Sequence, residues 1–196
     1  MAFRYAIALT GGIATGKSTA VSLLRLGGLR VIDADEIAHR LLDENSAWIA
    51  QTFGDTYVKN SKVLRSDLGK LIFSDNAAKS KLEAFLHPRI RKAIEEESER
   101  QDKFEFPYLI DIPLFFENSA YPIKNSVTVY APKEIQLQRF IKRDGFDKTE
   151  ALRRIESQMD IEEKKRRSTW VIDNSKDLKH LQAECEDFVE KIKEQF

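Results

Sequence analysis

Residues 11–18 read Gly11-Gly12-Ile13-Ala14-Thr15-Gly16-Lys17-Ser18, preceded by Tyr5-Ala-Ile-Ala-Leu9 and followed by a helical run from Ser18 to Leu26. The octapeptide satisfies G-x-x-x-x-G-K-[ST], and its flanks supply the context the pattern needs, a strand before and a helix after. Glycines at 11 and 16 admit backbone conformations that a side chain obstructs. The intervening N–H groups can then turn inward toward an anion. Lys17 adds a full positive charge, and Ser18 adds a hydroxyl suited to Mg²⁺. The helix starting here aims the positive end of its dipole at the same point. The stretch predicts a first strand, a phosphate-binding loop and a first helix.

Working outward, four more runs have the apolar, β-branched character of buried parallel strands: Leu29–Ile32, Tyr108–Ile112, Ser126–Tyr130 and Thr169–Ile172. With Tyr5–Leu9 they make five, and helical patterns fill the gaps. Such alternation predicts an α/β fold of the phosphate-loop type, a five-stranded parallel sheet flanked by helices. Two gaps exceed what a crossover helix requires. Residues 34–104 hold helical patterns at Ala34–Leu42, Trp48–Phe53, Ser66–Phe73, Ala77–Phe85 and Pro88–Arg100, with Pro88 placed to open the last. Residues 133–167 are dense in charge. The expected organisation is a nucleotide-binding core (1–33, 105–132, 168–196), a helical insertion (34–104) at the sheet's ligand-binding edge, and a lid (133–167).

Bulk properties exclude some classes. Lys plus Arg and Asp plus Glu are 32 each, so the net charge is zero, which argues against a general nucleic-acid binder. The one cysteine, Cys185, has no internal disulfide partner and suits a reducing compartment. No signal-peptide layout opens the chain, and no apolar run is long enough for a bilayer. A cytoplasmic protein with a small-molecule substrate is expected, with no nucleic acid, membrane or protein partner.

The acidic residues at strand ends carry the chemistry. The second strand closes on Val31-Ile32-Asp33-Ala34-Asp35. A carboxylate there can orient an acceptor hydroxyl and take its proton, and Asp33, directly at the strand end, is preferred to Asp35. The alternative makes Asp33 a helix N-cap, with Glu36 three residues on. The third strand closes on Asp111, expected to hold Mg²⁺, before Pro113 ends the ladder. Glu117 is either an acceptor contact or a solvated loop carboxylate. Arg139 and Arg143 lie four apart on one helical face, suited to charge developing on a transferred phosphoryl group. Arg153, Arg154, Gln158, Lys164, Lys165, Arg166 and Arg167 read mostly as solvated lid residues paired with Glu156, Glu162 and Glu163. His87, before Pro88 and a turn from Arg91, is either a cap or a substrate contact.

Five motifs in order resemble the dephospho-CoA kinase family: Leu9–Thr19, Val31–Asp35, Leu86-His-Pro-Arg-Ile-Arg91, Asp111-Ile-Pro-Leu-Phe-Phe-Glu117 and Val171-Ile-Asp-Asn-Ser175. Gln138-Arg139 to Arg143 and Arg154-Ile155 to Gln158 are similar to that family's lid. The resemblance implies ATP as phosphoryl donor, Mg²⁺, and the ribose 3′-hydroxyl of dephospho-CoA as acceptor. It implies Asp33 as base, Lys17 and Arg139 as catalytic cations, and ATP contacts from residues 11–19 including Thr19. His87 and Arg91 join the acceptor site, and Asn174 lies near adenine. Three departures stand out. Ala14-Thr15 replaces a usual Gly-Ser, Phe115 a usual leucine, and Lys176 a common glycine. One methyl at Ala14 is expected to leave the loop's course intact.

Rival readings are weaker. A GTPase reads guanine with Asn-Lys-x-Asp, whereas Asn174-Ser175-Lys176-Asp177 displaces the lysine. A nucleotide sensor without turnover has no need of Asp33 and paired lid arginines beside Lys17. A kinase for another alcohol differs only in acceptor.

Overall fold

The computed structural model describes residues 2–118 and 121–196. The chain forms two compact units, Met1–Ile32 with Ser98–Phe196, and Asp33–Glu97.

The first unit is built on strands β1 (Ala6–Gly11), β2 (Val31–Asp33), β5 (Tyr108–Asp111), β6 (Asn125–Tyr130) and β7 (Trp170–Asp173). They form one parallel sheet in the order β2-β5-β1-β6-β7. All five strands expected from sequence are present, their ends shifted by at most two residues. Ile7, Leu9, Leu109, Val127, Val129 and Ile172 form the core with α1 (Lys17–Leu26) and α10 (Leu178–Gln195). Helix α1 contributes Ala20, Val21 and Leu24, and α10 contributes Leu181, Cys185, Phe188, Val189 and Ile192. Each fully buried Leu or Ile is worth roughly 1.5–3 kcal/mol of removed apolar surface. Register fixes the functional edge. Leu9 of β1 lies level with Asp111 of β5 and Val127 of β6. Gly11 and Asp111 therefore end neighbouring strands on one side.

After the short α6 (Phe115–Asn118), the charged segment holds α7 (Lys133–Asp144), α8 (Lys148–Glu156) and α9 (Ile161–Arg167). Asp147 and Asp160 cap α8 and α9, accepting first-turn N–H groups. The expected ion pairs form with partly different partners. Glu150 takes Arg153 and Arg154, Glu163 takes Arg166 and Arg167, and Glu156 takes Lys133.

The second unit contains α2 (Ala34–Glu44), α3 (Ser46–Phe53), α4 (Arg65–Ser74) and most of α5 (Asn76–Asp102) around Ile49, Val63, Leu68, Leu82 and Leu86. Trp48 stacks on Phe85 at 3.7 Å. Two expectations are corrected here. A hairpin of β3 (Val58–Lys59) and β4 (Lys62–Val63) interrupts the helices. Its Asn60-Ser61 turn has positive φ at both residues, the mirror-type geometry that suits a twisted two-residue connection. Asp43 holds the hairpin. Its carboxylate accepts the Val63 N–H and an Arg65 guanidinium hydrogen, both at 3.0 Å. The second correction concerns Pro88, which opens no helix and lies inside α5. The proline ring disturbs the preceding turn. Beside it, Arg89 Nη1 donates to the Phe85 carbonyl at 2.6 Å while its guanidinium covers the Phe85 ring at 3.7 Å.

Among the described residues no helix is long and apolar enough to cross a membrane.

Candidate active site

The loop between β1 and α1 follows the course its glycines permit. Gly16 sits at φ +87° and its carbonyl accepts the Thr19 and Ala20 N–H groups, opening α1. A Cβ on Gly16 would lie 2.1 Å from Asn174 Nδ2, so both backbone angle and neighbour demand glycine. A Cβ on Gly11 would meet Thr15 Oγ1 at 2.8 Å and the Val129 carbonyl at 3.1 Å. Ala14 also has positive φ, +58°. The family's usual glycine there is thus a matter of backbone angle, not of space. Lys176 is absent from the positive-φ residues, so its backbone makes no demand for glycine.

Charged groups converge on this loop. Lys17 Nζ lies 2.5 Å from both oxygens of Asp111, with the side chains 18% and 8% exposed. Ser18 and Thr19 are exposed on the first turn of α1. Arg139, on α7, donates from Nη2 to the Lys176 carbonyl at 3.3 Å. Its Nη1 is buried with no partner and lies 4.0 Å from the Cβ position of Gly16. A guanidinium nitrogen out of water and unsatisfied beside a phosphate-type loop suits an anion. Arg143 is not brought to the loop. It pairs with its neighbour Asp144 at 2.9 Å and is exposed.

Side chains distant in sequence brace the loop. Asn174 Nδ2 donates to the Thr15 carbonyl at 2.7 Å, while the Asn174 N–H bonds the Tyr130 carbonyl at 2.7 Å. Gln158 Oε1 accepts the Ile13 N–H at 3.0 Å. Gln136, buried, donates to the Ala131 carbonyl at 2.9 Å and packs its Oε1 where a side chain on Gly12 would go. A cavity of about 300 Å³ lies beside Gly12, Gln136, Gln158 and Met159.

Lys164 is the largest correction to the sequence reading. It is no solvated lid charge: its side chain is wholly buried. Its ammonium donates to the Gly11 carbonyl (3.0 Å) and the Pro113 carbonyl (3.1 Å) and pairs with Glu117 Oε1 (2.9 Å). Glu117 Oε1 also accepts the Met159 N–H at 3.1 Å. Spacing offered no signal, because Lys164 and Lys165 fall three and four residues after buried Ile161, both toward its face of α9.

At the end of β7, Asp173 accepts from Ser175 N and Oγ, each at 2.9 Å, and meets His180 Nε2 at 3.3 Å. Burial pushes its carboxyl upward, but these hydrogen bonds and His180 outweigh it and hold the group below the usual carboxylate range.

The remaining sequence-predicted residues belong to the second unit. Asp33 caps α2, its Oδ1 accepting the Asp35 and Glu36 N–H groups at 2.9 and 3.0 Å. The cap engages one carboxylate oxygen only. Asp35 is exposed on the first turn. His87 is no cap. It lies inside α5, exposed and four residues from exposed Arg91, which puts the two on one face.

Oxygen donors of the Ser18 and Asp111 type suit Mg²⁺, which takes one or two carboxylates together with substrate phosphates. Among the described residues no group of three or more His, Cys, Asp or Glu forms a metal cluster.

The family model for CoaE, dephospho-CoA kinase, matches residues 5–180. Dephospho-CoA kinase of Sulfurimonas denitrificans is 69% identical over 196 residues, covering 100% of this chain and 98% of that protein. The solved dephospho-CoA kinase from Campylobacter jejuni is similar with TM-score 0.74 and 34% identity, covering 96% of this chain and 97% of that one. TT1252 from Thermus thermophilus is similar with TM-score 0.78 and 33% identity, covering 95% and 97%. A loop with its lysine, strand-end aspartate and an arginine nitrogen held out of water, joined to likeness along the whole chain, leads to one statement: this chain belongs to the dephospho-CoA kinase family.

Proposed function

We propose that the chain transfers the γ-phosphoryl group of ATP to the ribose 3′-hydroxyl of dephospho-CoA, giving CoA and ADP. Family membership supports the reaction, and one observation of the site supports it best. The buried, unpartnered Nη1 of Arg139 stands beside the loop that begins α1, where the chain otherwise concentrates N–H donors and Lys17.

The roles follow from chemistry. Loop amides and Lys17 hold the β- and γ-phosphates, Lys17 exchanging part of its contact with Asp111 for the incoming anion. Ser18 and Asp111 hold Mg²⁺, which when bound neutralises charge on the phosphates. Asp33 takes the proton of the 3′-hydroxyl as its oxygen bonds the γ-phosphorus and the bond to the ADP oxygen breaks. Arg139, with Arg143 brought in by lid movement, meets charge that grows on the transferring group. Residues 34–104 form the acceptor domain, with Asp35, His87 and Arg91 as contacts, and 133–167 form the lid that excludes water; Glu117, expected from sequence as an acceptor contact or a solvated carboxylate, is engaged by Lys164 instead. Asn174 completes the nucleotide site, and the reaction takes place in the cytoplasm.

A coupled ADP-release assay tests this. ADP appears with ATP, Mg²⁺ and dephospho-CoA, and not with nucleosides or other alcohols in the same panel. Lys17→Ala abolishes it. Equal release without dephospho-CoA, or an active Lys17→Ala protein, refutes the reading.

A further inference from the structure

We infer that Lys164 is a positioning residue for phosphoryl transfer: its buried ammonium, locked to Glu117, fixes the Gly11 carbonyl and with it the start of the phosphate loop. The inference rests on the kinase reading above.

An ammonium has three hydrogens and no acceptor. Lys164 has three acceptors, the Gly11 carbonyl, the Pro113 carbonyl and Glu117 Oε1, all within 3.1 Å. Nothing is left over for a substrate phosphate, so the group acts through the loop and not on the ligand. Its three partners are well chosen for that. Gly11 is the last residue of β1, and Pro113 and Glu117 follow Asp111 at the end of β5. One cation thus ties the phosphate loop to the segment that carries the strand-end carboxylate. Thr10 repeats the link, its Oγ1 donating to the same Pro113 carbonyl at 2.9 Å.

The cation is itself held in place. The Lys164 carbonyl accepts Ser168 Oγ at 3.0 Å, which fixes the lysine's turn of α9. Burying a charge is costly, and an apolar residue of equal volume would fill the space more cheaply. What methionine cannot supply is a directional pull on a carbonyl in the turn leading into the loop. In-line transfer tolerates little displacement of the γ-phosphate, and an error of about 1 Å costs on the order of 100-fold in rate.

Lys164→Met keeps the volume and removes the pull, but leaves Glu117 without its counter-charge and risks unfolding. The double variant Lys164→Met/Glu117→Gln, with no unpaired charge, therefore decides the matter. Folding is checked by circular dichroism at the assay temperature. In the ADP-release assay its kcat falls about 100-fold while KM for dephospho-CoA stays within about threefold. A merely structural role would lower thermal stability and leave kcat unchanged. Lys165→Ala, whose ammonium lies over the Tyr130 ring at 4.0 Å, keeps wild-type kcat as the neighbouring control. A folded double variant with wild-type kcat overturns the inference. If wild-type protein fails to turn over, the kinase reading falls instead. The strut is then read by calorimetric titration with ADP, which the double variant binds about tenfold more weakly. Equal ADP affinity overturns it there.

Discussion

Ala14→Gly should make this protein more stable, although it removes a methyl group and loosens the unfolded chain. Ala14 holds φ +58° within the phosphate loop. An L-residue in the left-handed region pays about 1–2 kcal/mol, because its Cβ crowds the following carbonyl. Glycine removes that strain but gains freedom in the unfolded ensemble, which costs roughly 0.4–1 kcal/mol. The first effect is larger, so the net gain is about 0.5–1 kcal/mol. For a chain of this length that corresponds to a midpoint rise of about 1–4 °C. The two tryptophans allow a clean measurement, since Trp48 lies in the second unit and Trp170 in the first. In a Trp48→Phe background, Trp170 emission during heating reports the sheet-bearing unit alone. A fall in the midpoint would show the entropy term acting unopposed. Residue 14 would then not be left-handed, and the backbone account of this family departure would fail.

Asp33→Asn retains a good N-cap, so its unfolding midpoint should stay near wild type while turnover drops about 10²–10⁴-fold with ATP affinity kept. Near-normal turnover would remove Asp33 as base. Arg139→Ala should lower kcat more than it weakens ATP binding in equilibrium titration, and equal losses would make it a plain binding residue. Asp173, held below the usual carboxylate range, binds its proton less readily in the folded than in the unfolded state. Its stabilising contribution is therefore present above the unfolded pKa of about 3.9 and is lost as pH falls through the folded value. The urea midpoint of Asp173→Asn should trail wild type at pH 6, and the gap should narrow on acidification to pH 3. A gap that does not change with pH would contradict this.

The phosphate loop and the five sheet strands were legible because both rest on local signals, glycine spacing and short apolar runs closed by Asp33 and Asp111. Pro88 misled because its ring suits a helix start. Leu82 and Leu86 of α5 are buried in one core with Ile49 and Leu68, and such tertiary packing overrides a local breaker. The β3–β4 hairpin was missed because strands of two residues carry no period. The bracing of the loop was hidden for another reason. Lys164, Gln158 and Asn174 lie more than a hundred residues from the loop backbone they bond, Gln136 packs beside Gly12 from as far along the chain, and each has the composition of a surface residue. Only burial distinguishes Lys164 from Lys165. Helical spacing put Arg139 and Arg143 on one face, but not which of them stands at the loop: Arg139 lies beside Gly16 and Arg143 pairs with Asp144.

Full enclosure also makes Lys164 chemically silent. Acylating reagents reach Lys70 or Lys92, whose side chains are 77% and 78% exposed, but find no surface on Lys164. An acyl mark at this position therefore records an excursion in which the packing around α9 came apart. The mark also cancels the charge and enlarges the side chain, so a chain acylated there cannot close again around Gly11, and the damage is self-sealing.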